Sequence, residues 1–187
     1  GVGHGGRADF DDDGPGMDDF AAPAASLREH LAAQVRLSFA APAEQMIAAA
    51  MLALLEPSGR LSVTSTALAA QLGTDAARVE AVRQRLMRFD PTGMFAHDLA
   101  ECLAVQLAEK NRLDPAMQKL LAHLDLLARR DLRKLMAVCE VDAEDIGEMI
   151  AEIRRLDPKP GCAFDAEPAP AVVPDVLMRA APGGGWR

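Results

Sequence analysis

The sequence predicts an all-α protein built as two tandem small helical bundles, and three observations carry that expectation. Half of the residues are hydrophobic, yet aromatics make up only 4%, with one Trp and no Tyr. The apolar content is therefore Ala, Leu, Val, Met and Ile, and the Ala, Leu and Met among them lose little side-chain entropy in a helix. Apolar residues also recur at three- and four-residue spacing between Ser, Thr or Asp starts and Gly or Pro stops. Finally, the chain resembles itself at an offset of 67 residues.

Charge divides the chain before any helix begins. Residues 1–25 hold six Asp (Asp9, Asp11, Asp12, Asp13, Asp18 and Asp19) against Arg7, a local charge of -5. The overall charge is -8, so residues 26–187 carry only -3. The Gly, Pro and Asp content of 1–25 offers no apolar periodicity, and the segment is expected to be a disordered acidic linker. An acidic head on a near-neutral body argues against free nucleic-acid binding, which needs clustered positive charge.

The first bundle is expected over residues 26–93. Ser26 with Glu29 forms a capping box, and Leu27, Leu31 and Val35 carry a helix to about Phe39. Pro42 opens a second helix, with Met46, Ile47, Ala50, Met51, Leu54 and Leu55 as its apolar stripe and Pro57-Ser58-Gly59 as its stop. A short helix from Thr64 to Leu72 and a longer one from Thr74 or Asp75 to Phe89 meet at Gly73. Asp90-Pro91 ends the longer one.

The second bundle is expected over residues 94–158. Asp98 caps a helix with Leu99, Cys102, Leu103 and Leu107 inside. Asp114-Pro115 opens the next, with Met117, Leu120, Leu121, Leu124 and Leu127 inside. Asp131 opens a helix bearing Leu132, Leu135 and Val138, and Asp142 one bearing Ile146, Met149, Ile150, Ile153 and Leu156. Residues 159–187 turn Pro-rich and extended, with a short strand pair around Val172-Val173 and Val176-Leu177-Met178 and a Gly-rich turn before Trp186. That hairpin is expected to lead into a further domain.

The offset of 67 superposes Ala70, Asp75, Ala76, Arg88, Asp90 and Pro91 on Ala137, Asp142, Ala143, Arg155, Asp157 and Pro158. Each unit is expected to be helix-turn-helix-like, a short helix and a longer one about a tight turn. The longer helix of the first unit offers Arg78, Arg83 and Arg85 diluted by Glu80. That of the second offers Glu144, Asp145, Glu148 and Glu152, which phosphates repel. Protein binding is favoured over DNA reading.

Catalytic patterns are missing. His4, His30, His97 and His123 have no metal-ligand spacing with Cys or carboxylates, and no Ser or Cys nucleophile has a partner. No cofactor, metal or catalytic residue is expected, and the protein is not expected to be an enzyme. Cys102, Cys139 and Cys162 are too few and too scattered for a disulfide framework. Without a secretory signal or an apolar stretch near the roughly 20 residues of a membrane span, a cytoplasmic, monomeric protein is expected.

Several strings go beyond helical generalities. They are Ser26-Leu27-Arg28-Glu29-His30-Leu31, Phe89-Asp90-Pro91-Thr92-Gly93 and Asp98-Leu99-Ala100-Glu101-Cys102-Leu103. Further on come Arg129-Arg130-Asp131-Leu132, Leu156-Asp157-Pro158-Lys159-Pro160-Gly161 with Phe164, Val172-Val173-Pro174-Asp175-Val176 and Gly185-Trp186. In this order and spacing, residues 26–187 resemble the central core-binding region of bacterial sigma-54 factors. The resemblance implies two helical subdomains that bind core RNA polymerase for activator-dependent transcription initiation. It also implies that promoter DNA and the ATP-dependent activator are met only through regions outside this sequence. A helix-turn-helix DNA-binding regulator and a protein-interaction adaptor are the alternatives.

The polar and Gly/Pro positions that carry the resemblance are the expected polymerase-binding residues: Phe89, Asp90, Pro91, Gly93, His97, Asp98 and Glu101, with Arg129, Arg130 and Arg133 at a helix end. The competing reading is that Asp90-Pro91 and Asp98 only stop and cap helices while the arginines solvate an end. Phe95 stands where the family often has a smaller residue, and His97 where it usually has Arg.

Overall fold

A computed structural model describes residues 26–162. The acidic linker expected at 1–25 and the hairpin expected near Trp186 lie outside the described residues. Among the described residues there are nine α-helices and one isolated β-bridge, between Arg60 and Ala96. None of these helices is long and apolar enough to cross a membrane.

The helix starts follow local chemistry. Helix α1 (Leu27–Ser38) opens on a closed capping box, in which the Glu29 amide donates to Ser26 Oγ and the Ser26 amide donates to the Glu29 carboxylate. Helix α2 (Pro42–Leu54) begins with proline at its first position. Helices α3 (Ser65–Leu72) and α4 (Ala76–Leu86) are capped by Thr64 and Asp75 and joined through Gly73 at φ 70°. After a long loop come α5 (Leu99–Glu109), α6 (Pro115–Ala122) and α7 (Leu124–Ala128). Helices α8 (Leu132–Cys139) and α9 (Ala143–Arg154) complete the order, and residues 160–162 form a short helical turn.

The internal repeat is structural. Shifting α3 and α4 by 67 residues reproduces the observed limits of α8 and α9 to within one residue. Asp75 and Asp142 cap the longer helix of each unit. The left-handed turn residue is Gly73 in one unit and Glu140, φ 61°, in the other.

Four expectations about side-chain facing need correction. Met46, Leu54, Leu99 and Leu132 are exposed rather than inward. On α2 the buried line runs Ile47, Ala48 and Met51, one step round from the expected stripe. On α5 the polar Gln106 is buried while Leu99 is not, because the backbone of Asp157 satisfies the Gln106 amide. Helix α4 stops at Leu86 and leaves Phe89 in the loop.

A further correction is a helix break. The long helix expected from Asp114 through Leu127 divides at His123, whose backbone lies at φ -126°, ψ 41°. Its Nδ1 donates to the Lys119 carbonyl at 2.9 Å, the acceptor its own N–H would take in a continuous helix. The N–H turns instead to Leu120, one residue nearer. The phase slips, so Leu126 is buried while Leu124 and Leu127 are half-buried.

Buried apolar side chains form two clusters. One gathers residues from Leu27 to Cys102, the other from Leu103 to Leu156, so α5 feeds both. The segment after α9 crosses back to the first cluster. Gln106 Nε2 donates to the Asp157 carbonyl at 2.7 Å and the Asp157 amide returns the bond at 2.9 Å. Arg60 Nη2 donates to the Pro158 carbonyl at 2.8 Å, and the Gly161 amide to the Ser58 carbonyl at 3.3 Å. A Cβ at Gly161 would sit 2.4 Å from the Pro57 carbonyl oxygen, so glycine permits the approach.

Candidate docking surface

The expected site residues between Phe89 and Glu101 share one continuous loop, residues 87–98, and the first turn of α5. Phe89 is buried and its ring meets Phe39, with centroids 6.1 Å apart and planes tilted by 42°. Asp90 is exposed and tied to α1: Gln34 exchanges two hydrogen bonds with its backbone, and His30 Nε2 lies 3.0 Å from its carboxylate. Pro91 is half-buried and follows a cis peptide bond. Gly93, at φ 98°, lies where a Cβ would meet Cys102 Sγ at 2.9 Å. The chain therefore accepts no larger residue there without a shift.

Beyond Gly93 the loop dives inward. Phe95 is fully buried at φ 72°, and its amide donates to the Gly59 carbonyl at 2.7 Å. The Ala96 carbonyl accepts from Leu61. His97 is exposed but oriented: its Nδ1 carries the proton and donates to the Leu61 carbonyl at 2.9 Å. Asp98 is exposed and caps α5 through the Glu101 amide at 2.8 Å.

Arg83 on α4 locks this arrangement from below. It is only 3% exposed. Its Nε and Nη2 grip Glu80 at 3.0 and 2.8 Å. Its Nη1 and Nη2 grip Glu101 at 2.8 and 2.7 Å, and Nη1 also donates to the Phe95 carbonyl at 3.0 Å. Glu101 then accepts the His97 amide at 2.8 Å. The hydrogen bonds from Arg83 hold the Glu80 carboxyl down to about 2. Burial pushes Glu101 up, but Arg83 and the His97 amide outweigh it, and the net direction is down.

Arg83 is the participant that sequence reasoning misses, since spacing alone puts it on a basic helix face. Arg85 stays exposed, but it lies 4.1 Å above the Phe39 ring and donates to the Ser38 carbonyl. A signal is present in the repeat, where the position 67 residues after Arg83 is Ile150, a core residue.

Arg129, Arg130 and Arg133 fall elsewhere, the first two at the turn between α7 and α8 and Arg133 in the first turn of α8. All three are exposed. Arg129 pairs with Asp125 at 3.1 Å, one helical turn back, and Arg130 adopts φ 60°. They belong to the second cluster's periphery and do not join the Arg83 network.

Two helix-turn-helix-like units in tandem and an internally braced loop define an all-helical repeat module. The chain matches the sigma-54 factor core binding domain over residues 16–187. It is 51% identical to the RNA polymerase sigma-54 factor of Sinorhizobium fredii over 176 residues, 94% of this chain and 34% of that protein. Identity is 47% with RNA polymerase sigma-54 factor 2 of Bradyrhizobium diazoefficiens over 97% of this chain and 34% of that protein. With the RNA polymerase sigma-54 factor of Caulobacter vibrioides it is 45%, over 86% of this chain and 32% of that protein. The chain belongs to the sigma-54 factor core binding domain family, and it spans about a third of the length of the curated relatives it matches.

Proposed function

We propose that this chain docks on core RNA polymerase as the polymerase-binding part of a sigma-54 factor, in the cytoplasm and without a chemical step. The family match over residues 16–187 is the observation that carries this reading. Promoter DNA and the ATP-dependent activator then meet regions outside this chain. Residues 26–93 and 94–158 act as its two subdomains, the second lending Met94, Phe95, Ala96 and Cys102 to the core of the first.

The docking surface comprises the exposed Asp90, His97 and Asp98 on their braced loop, with Arg129, Arg130 and Arg133 on the second unit. Phe89, Pro91, Gly93 and Glu101 serve it by fixing the loop's shape. A DNA-reading role is disfavoured because α4 buries Arg83 in internal contacts and α9 presents Glu144, Asp145 and Glu148.

The test is retention and affinity on purified core RNA polymerase. The parent chain is expected to bind. Arg130→Glu, Arg133→Glu and His97→Ala are expected to bind more weakly with unchanged melting curves, because an interface group acts on the complex. A parent that is not retained overturns the docking role. Three variants that bind like the parent place the surface elsewhere.

A further inference from the structure

We propose that Arg83 is the positioning residue of the docking loop, holding residues 95–101 in the shape presented to the partner. The inference deepens the docking reading above and rests on it for its functional consequence.

Position 83 faces a core, and its counterpart in the second repeat is Ile150, an aliphatic side chain buried in the second cluster. Packing at this site is therefore satisfied by a hydrocarbon. Placing a guanidinium there costs desolvation, and buried ion groups are often no more stable than hydrophobic residues of similar volume. Stability alone does not account for Arg83.

The guanidinium does what Ile cannot. It bridges three segments: Glu80 on its own helix, the Phe95 carbonyl in the loop and Glu101 at the start of α5. The planar fork matches both carboxylates in a two-point grip, which a lysine could not reproduce. Phe95 needs such a hold, because a bulky non-glycine residue at φ 72° is strained and persists only where its surroundings fix it. Glu101 extends the hold to the His97 backbone, and His97 is one of the exposed groups of the proposed surface.

The second repeat supplies the control. There Glu80 corresponds to Gly147 and Arg83 to Ile150, so carboxylate and guanidinium vanish together. After α9 the chain passes through residues 157–161, which cross back to the 57–60 turn. Among the described residues, the ion cluster stands in the unit that carries the 87–98 loop.

The experiment compares Arg83→Ile with the parent by thermal unfolding, amide hydrogen exchange of residues 94–98 and affinity for core RNA polymerase. Leu120→Ala, in the other core, serves as a variant that lowers stability without touching the loop. Expected for Arg83→Ile are a cooperative fold, loop exchange faster by about tenfold and affinity weaker by about tenfold. Leu120→Ala is expected to leave loop exchange and the affinity of the folded protein near parental values. Arg83→Ile with parental exchange and affinity overturns the proposal, as does an equal affinity loss in Leu120→Ala. If Arg83→Ile does not fold, Glu101→Gln replaces it: faster loop exchange with weaker binding supports the proposal, and parental values of both overturn it. If the parent itself does not bind polymerase, the docking reading fails, and loop exchange alone decides whether Arg83 positions the loop.

Discussion

Residue by residue, the Arg83 cluster makes stability depend on acidity. The Glu80 carboxyl moves from an ordinary 4.5 to about 2, and Glu101 moves in the same direction. A depressed carboxylate contributes stability that is fully present above its unfolded pKa and lost as pH falls through its folded one. The expected outcome is a urea midpoint that drops as pH is lowered from 4.5 toward 2, with Arg83→Ile flattening that slope. Unfolding curves at a series of pH values check it. Packing predicts a second contrast. Leu120→Ala, at a fully buried site, is expected to cost about 2–5 kcal/mol, and the half-buried Leu124→Ala clearly less, in urea unfolding. A continuous helical phase would rank these two alike. The break that separates them depends on one ring nitrogen of His123 competing for a carbonyl, which spacing alone does not reveal. Arg83 is hidden for a related reason: nothing local distinguishes a buried, paired arginine from a solvated one.

Helices are the most legible feature because their ends are written in neighbouring residues. Asp75, Asp98, Asp114, Asp131 and Asp142 each accept a backbone amide of the first turn, as their places in the sequence imply. Asp142→Ala is expected to cost about 1 kcal/mol in thermal or urea unfolding. Helix faces are less legible: Met46, Leu54, Leu99 and Leu132 sit at stripe edges, where a neighbouring element decides burial. The tandem units also predict an improvement. Glu140 holds the left-handed turn position that glycine holds in the first unit, and only an exposed pair with Lys119 favours the side chain. Glu140→Gly is therefore expected to stabilise by up to about 1 kcal/mol, the strain of the left-handed residue outweighing the lost surface pair. A higher urea midpoint with an unchanged slope is the supporting result.

For the molecule as a whole, the return of residues 157–161 to the 57–60 turn joins the two cores, and long-range contacts of this kind have no local signature. Gly161→Ala is expected to lower the melting temperature by displacing that segment, because the obstructing atom is a backbone oxygen that cannot swing aside. The three cysteines turn this arrangement into a reporter. Cys102 lies in the first cluster, Cys139 in the second, and Cys162 is exposed where the chain exits. Burial pushes the Cys102 and Cys139 thiols up as well as shielding them, so a thiol reagent meets a single ready nucleophile in the folded protein. Reaction at the other two then times the opening of each core separately. Simultaneous labelling means that the halves melt as one cooperative unit, and staggered labelling gives the order in which they part.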